Sequence, residues 1–166
     1  MYTDLEALLY QAENHYLTPS DLQTFRGVAT ELQQRLALYE KLRELESDLF
    51  EALALQLQSA CADASPAHLT QVLQHWILAF RYSAMAMLLN QPQFLQRRLL
   101  EWLTDIVQVH QMGAVETTAS NLLLTLLVNR LSPEQIDLVR PYLDQARTTL
   151  LHPEVADLGT LEEVRA

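Results

Sequence analysis

The sequence predicts an all-α fold, and three observations support this prediction. Apolar residues recur at helical spacing along most of the 166 residues, whereas no segment alternates convincingly enough to be a strand. Only three glycines occur, and hydrophobic residues make up 49% of the chain, so one domain with a sizeable core can form. Proline after Ser or Thr marks helix starts at Thr18-Pro19, Ser65-Pro66 and Ser132-Pro133.

The first two helices are predicted from the N-terminal segment. Thr3 and Glu6 form a capping-box signature, and the helix that follows should end near Asn14-His15. A second helical pattern begins at Thr18-Pro19 and continues for about 40 residues with Gly27 inside it. Globular helices are rarely so long, so we expect a bend or break within this pattern.

Four further helical segments follow the loop at 59–68. The first is strongly apolar and closes at Asn90-Gln91-Pro92, and the last ends near Leu151. We therefore predict a single domain over residues 1–153. Residues 154–166 form an acidic tail, which we expect to be poorly packed and dispensable for folding.

Composition argues against several classes of function. A formal net charge of −10 makes nucleic acid and anionic membranes poor partners. The single Cys61 permits neither an internal disulfide nor a CxxC metal site. No N-terminal signal is recognisable, and the apolar windows at 76–89 and 122–128 look too short to span a bilayer. These features predict a soluble cytoplasmic protein without membrane insertion.

No catalytic or metal-binding constellation is visible. None of the five histidines lies three or four positions from another, so no metal site is predicted, and no nucleophile or phosphate-loop motif occurs. We predict that the chain is not an enzyme. His75 is interpreted as a hydrogen-bonded, partly buried histidine rather than a ligand. Arg81 is unusual, because it lies in an apolar helix with no acidic residue near it in sequence.

Three segments together resemble the phycobiliproteins, the α and β subunits of the cyanobacterial phycobilisome. They are LEALLYQAENHYLTPSDLQTFRGVATELQQRLALYEKL at 5–42, LAFRYSAMAMLLNQPQFLQRRLLEWLTDIVQ at 78–108 and DLVRPYLDQARTTL at 137–150. The resemblance implies a globin-like fold with an N-terminal helical hairpin, residues 1–30, that pairs subunits.

The resemblance also implies a pairing surface. In the family, the arginine at the position of Arg81 pairs with an acidic residue of the partner's hairpin, and the matching position in this chain is Glu13. The implied interface consists of Leu5, Leu8, Leu9, Glu13, Tyr16, Arg81 and Tyr82. The alternative is that Arg81 reaches solvent or caps carbonyl groups.

The chain departs from the family at the bilin attachment site. Val72 stands where the family has the cysteine that bonds the bilin, and Gln74-His75 replaces the family's Arg-Asp pair. The preceding loop also looks shorter. No covalently bound bilin, and no other cofactor, is therefore expected.

These observations favour a pigment-free interaction protein of a photosynthetic, cyanobacterial-type cell. It would act in assembly, turnover or regulation of the phycobilisome or photosystems, in the cytoplasm or at the cytoplasmic face of the thylakoid membrane. We expect a homodimer, or a heterodimer with a phycobiliprotein-like subunit, and phycobilisome or photosystem components are further candidate partners. An alternative is a sensor or carrier that holds a tetrapyrrole or apolar ligand non-covalently near His75 or His110. An enzyme or chaperone of bilin handling, such as a lyase, is the third alternative, and no acid–base pair supports it.

Overall fold

A computed structural model of the protein describes residues 3–109 and 113–151, and side chains within these ranges except 3–5, 108 and 109. The described residues form seven α-helices and one π-helical turn. They are α1 (Thr3–Ala12), α2 (Pro19–Ala60), α3 (Pro66–Leu89), α4 (Pro92–Leu95), the π-helical turn (Gln96–Leu100), α5 (Glu101–Val109), α6 (Gly113–Val128) and α7 (Pro133–Leu151). The all-α prediction is confirmed. The acidic tail and His110 lie outside the described residues.

Helix α2 is one uninterrupted helix of 42 residues, so the expected break within it was wrong. Its start is fixed by a capping box, in which the Thr18 hydroxyl accepts from the Asp21 amide and the Asp21 carboxylate accepts from the Thr18 amide. Beyond that, α2 buries Leu42, Leu49 and Leu53 completely against the rest of the core. Tertiary packing of this kind can stabilise a helix that is much longer than typical globular helices.

Helix α3 is the central helix of the core. It packs against α2, α6 and α7, and its residues Val72, Trp76 and Ala79 are almost completely buried. The sequence estimate of its length was wrong, because α3 is long and apolar enough to cross a membrane by those two criteria alone. Half of its apolar window is nevertheless buried inside the fold, as in the core helix of a globular domain.

The segment after α3 turns sharply and then changes helix type. Asn90 ends α3 in the left-handed conformation, with φ 49°, which asparagine tolerates better than most residues. The π-helical turn then buries the adjacent Leu99 and Leu100 while Arg97 and Arg98 remain exposed. This turn therefore places two arginines on the surface beside the end of α3.

Helix α7 packs on α3 and α6. Ser132 and Gln135 form the predicted cap, because the Ser132 hydroxyl accepts from the Gln135 amide and the Gln135 side chain accepts from the Ser132 amide. The Lys41 ammonium also donates to Gln135 Oε1 at 2.8 Å and so links α2 to α7. Arg35 links α2 to α3, because it donates to the carbonyl of Met87 at 2.7 Å. These bonds fix the middle of α2 on the core.

Candidate interaction site

Arg81 has a carboxylate partner within the chain. Its Nε donates to Glu46 Oε2 at 2.9 Å and its Nη2 donates to Glu46 Oε1 at 2.5 Å, so the pair is bidentate. Hydrogen bonding to Glu46 raises the pKa of Arg81. The argument that Arg81 needs an acidic partner from another subunit was therefore wrong. A pair between Arg81 and Glu13 of a second subunit stays a prediction.

The Arg81–Glu46 pair lies in a groove of about 480 Å³ between α2, α3 and α4. We call it the arginine groove; its lining residues are Tyr39, Leu42, Arg43, Glu46, Phe80, Arg81, Tyr82, Ala84, Met85 and Phe94. Most of the lining is apolar or aromatic, and the rings of Tyr82 and Phe94 stack with their centroids 5.9 Å apart. Such a surface offers both apolar area and positive charge to a partner.

Positive charge continues beyond the groove. Phe94 also lines a neighbouring open depression that contains Arg97 and Arg98. No carboxylate of the described residues forms an ion pair with Arg43, Arg97 or Arg98. In a chain of net charge −10, this concentration of arginines is a local exception.

The N-terminal hairpin formed by α1 and the first part of α2 leaves apolar side chains in solvent. Leu8 is buried with 6% exposure, but Leu9 is 60% exposed and Tyr16 fully exposed. Of the implied interface residues on α1, Leu8 is therefore covered within the chain, whereas Leu9 is available to a partner; the Leu5 side chain lies outside the described ones. Glu13 is exposed.

A longer stripe, apolar except for two charged residues at its C-terminal end, lies on α2 itself. It consists of Leu22, Phe25, Ala29, Leu32, Leu36, Tyr39, Arg43 and Glu46, which recur every three or four positions and therefore share one face. Four of its members, Leu22, Phe25, Leu32 and Leu36, are between 43% and 46% exposed. The α2 stripe thus joins the exposed hairpin to the arginine groove without a break.

The position that the resemblance matches to the family's bilin cysteine lies inside the core. Val72 has no exposed surface, and Gln74 on the same helix is exposed. His75 is buried, and its Nδ1 lies 2.7 Å from Oε1 of Glu116, a fully buried residue in the first turn of α6. The interpretation of His75 as a hydrogen-bonded histidine agrees with this contact. These residues do not fit a covalent bilin, because Val72 has no sulfur and His75 is already paired with a carboxyl group.

Two acidic residues of these contacts were missed in the sequence. Glu46 lies in a charged stretch of α2, and no local pattern signals that it pairs with Arg81. Glu116 looks like an ordinary acidic residue of a first helical turn, and no local pattern signals its contact with His75. Cys61 is partly buried beside the end of α2. Within the described residues, no group of three or more His, Cys, Asp or Glu side chains could hold a metal ion.

Comparison with known proteins supports the resemblance. The family model described as phycobilisome protein matches residues 8–150, which include the second half of α1 and nearly all of α7. No curated protein sequence matches the chain. The helical architecture agrees with the all-α, globin-like fold of that family. The chain belongs to the phycobilisome protein family.

Proposed function

We propose that this chain is a pigment-free interaction protein of the phycobilisome family that pairs through its N-terminal hairpin and its arginine groove. The observation that carries the proposal is the continuous α2 stripe, which leaves Leu32 and Leu36 in solvent between these two surfaces. Exposed apolar residues that form one continuous face are typical of a protein–protein interface.

The hairpin of a chain cannot fill the groove of the same chain. Helix α2 is continuous from Phe25 in the hairpin to Arg43 in the groove, and these residues are about 27 Å apart along the helix axis at 1.5 Å per residue. A rigid helix of this length keeps the two surfaces apart. The groove therefore receives the hairpin of another molecule.

The partner in this proposal is a second copy of the chain, because the two surfaces have complementary charges. The hairpin presents the exposed carboxylates of Glu6 and Glu13, whereas the groove and its border present Arg43, Arg81 and Arg97. A two-fold axis would bring each hairpin onto the groove of the other copy.

The spacing of the α2 stripe favours an antiparallel arrangement about this axis. If Leu32 of one copy faces Leu36 of the other, Phe25 faces Arg43 in the same register. An aromatic ring beside a guanidinium is a favourable pair. In this register every residue of one copy's stripe lies opposite a residue of the other copy's stripe. All four exposed apolar residues of each stripe are then buried.

The absence of a covalent bilin in the proposal is supported by Val72 and by the His75–Glu116 contact. A family member with pairing surfaces and no pigment would bind or replace pigmented subunits without transferring excitation energy. We place its role in assembly, turnover or regulation of the phycobilisome or photosystems, in the cytoplasm or at the cytoplasmic face of the thylakoid membrane.

Analytical ultracentrifugation of the purified chain tests the pairing. We expect a dimer for the wild type and a monomer for Leu32→Glu, because a buried carboxylate in the apolar stripe costs association energy. Leu55→Glu is the matched control, since Leu55 is 65% exposed on α2 but lies off the stripe. Glu13→Lys should weaken the dimer by placing a cation against the arginines. A dimeric Leu32→Glu variant would remove the basis for this interface.

Cysteine cross-linking tests the register. In a Cys61→Ser background, a chain with Leu32→Cys mixed with a chain with Leu36→Cys should form a disulfide dimer on mild oxidation. Leu32→Cys mixed with Leu55→Cys should not. If wild type remains monomeric alone but forms a one-to-one complex with an isolated phycobiliprotein subunit, the pair is heteromeric and the self-pairing proposal is wrong.

A further inference from the structure

The Arg81–Glu46 pair occupies the place where the partner's carboxylate is expected. Glu46 takes the Nε–Nη2 edge of the guanidinium in a bidentate contact. The pair is also accessible, because the Arg81 side chain is 59% exposed and the Glu46 side chain 24% exposed. A partner carboxylate that approaches Arg81 therefore meets a cation whose charge is already balanced.

We infer that Glu46 is an internal competitor that limits the affinity of the arginine groove for the acidic hairpin of a second copy. This inference rests on the proposed pairing function and concerns its strength. In the free chain, Glu46 neutralises Arg81; in the dimer, the guanidinium must be shared between Glu46 and the partner's hairpin, or Glu46 must release it.

The charge of Glu46 is large relative to the net charge of the arginine groove. The groove contains Arg43, Arg81 and Glu46 as its charged residues, which gives a formal charge of +1. Without the Glu46 carboxylate the formal charge would be +2. Because the hairpin that enters the groove is acidic, loss of this one negative charge increases attraction and removes a repulsion between two carboxylates.

The position of Glu46 makes its effect specific. Glu46 belongs to the α2 stripe, three positions after Arg43, and lies at the groove end of that stripe. Glu44 carries the same charge on the same helix, but it is exposed and lies off the stripe. A general change in net charge would act equally at both positions, whereas competition for Arg81 acts only at Glu46.

The experiment compares the dimer dissociation constants of wild type, Glu46→Gln and Glu44→Gln by sedimentation. Glutamine keeps the size of the side chain and an acceptor oxygen while it removes the charge. We expect Glu46→Gln to dimerise about fivefold more tightly at low salt, in the range of a partly exposed charge contact, and the gain to shrink at high salt. Glu44→Gln should match wild type.

A second comparison shows whether the gain acts through Arg81. In an Arg81→Met background, Glu46→Gln should give less than half of its gain, since no guanidinium remains to be released. A thermal unfolding curve for each variant confirms that all are folded.

The outcomes distinguish the proposed pairing from the competitor role of Glu46. A wild-type dimer that Leu32→Glu dissociates, together with a Glu46→Gln variant that is equally tight or weaker, would overturn the competitor role and leave the proposed pairing intact. If wild type and Glu46→Gln are both monomeric at about 100 μM, where even weak pairs associate, the pairing and the competitor role are both wrong.

Discussion

Two contacts of α3 with acidic side chains differ in burial, and burial decides how much each contributes to the stability of the fold. Arg81 and Glu46 meet near the surface, where solvent screening keeps a single ion pair weak. His75 and Glu116 meet in the interior, where Glu116 has no exposed surface and its Oε2 lacks a hydrogen-bond partner among the described residues. Removal of one buried partner leaves the other unsatisfied, so the interior contact has the larger effect on folding.

His75→Leu is therefore expected to lower the free energy of unfolding by about 3 kcal/mol, because the Glu116 carboxyl group would remain buried without any partner. The double variant His75→Leu with Glu116→Met replaces both polar groups by apolar ones and should recover most of this loss. Urea denaturation of the three chains measures it. Equal losses in the single and double variants would show that the contact itself contributes little.

The Thr18 cap predicts a pH-dependent stability of the hairpin. Hydrogen bonds from the Thr18 side chain and backbone lower the pKa of Asp21 below its ordinary value of 3.8. Because folding lowers this pKa, the stabilisation that the ionised Asp21 carboxylate provides is fully present above pH 3.8. It is lost as the pH falls through the lower, folded-state pKa.

Thr18→Ala removes the side-chain hydrogen bonds of this cap and leaves the backbone one. We expect amide hydrogen exchange in the first turns of α2 to become about fivefold faster at neutral pH, with a smaller difference near pH 3. Thr24→Ala is the control, because alanine is a better helix former at an interior exposed position. An exchange difference that grows toward low pH would contradict the assigned role of Asp21.

Sequence reasoning identified these caps but not the ion pairs, and the reason is distance along the chain. Each cap joins groups three positions apart, so residue type and spacing are enough to predict it. Arg81 meets Glu46 across 35 positions and His75 meets Glu116 across 41. Such pairs depend on how α2 and α6 pack on α3, which local patterns do not encode.

Among the helices, α2 shows where a general expectation failed. Typical helix lengths suggested a break, yet Pro19 at its start is the only proline within α2, and Gly27 is its only glycine. Helical periodicity gave the correct element type and start. It did not give the continuity, because the second half of α2 is stabilised by contacts with α3 and α6 that are distant in sequence.

Gly27→Ala should stabilise the first half of α2. A β-carbon at Gly27 would meet no atom within 4 Å, so the substitution adds helix propensity without a clash, about 1 kcal/mol in an exposed helix interior. The reverse change at a neighbouring exposed position, Ala29→Gly, should destabilise it by a similar amount. Hydrogen exchange of residues 20–34 measures both effects. Faster exchange in Gly27→Ala would indicate that glycine is needed there for a bend.

For the whole molecule, the resemblance carried more information than the physical patterns. Periodicity and caps predicted an all-α chain, whereas the order of three sequence segments identified the family that the model match over residues 8–150 confirms. The exposed stripe on α2 was not recognised as a separate surface. Its residues could be placed outside the core only after the packing of α2 was known.

The last prediction concerns pigment attachment to the whole protein. When the chain is produced together with bilin synthesis and lyase enzymes, the denatured polypeptide should show no mass increase, because Val72 offers no thiolate to form a thioether. Val72→Cys alone should also remain largely unmodified, since residue 72 has no exposed surface.

Adding His75→Asp to Val72→Cys would place a second carboxyl group beside buried Glu116, and close like charges are unfavourable. The triple change with Glu116→Gln removes that repulsion but leaves residue 72 buried, so it should also remain largely unmodified. A bilin adduct on the wild-type chain, detected by mass and by visible absorbance after denaturation, would contradict the pigment-free assignment.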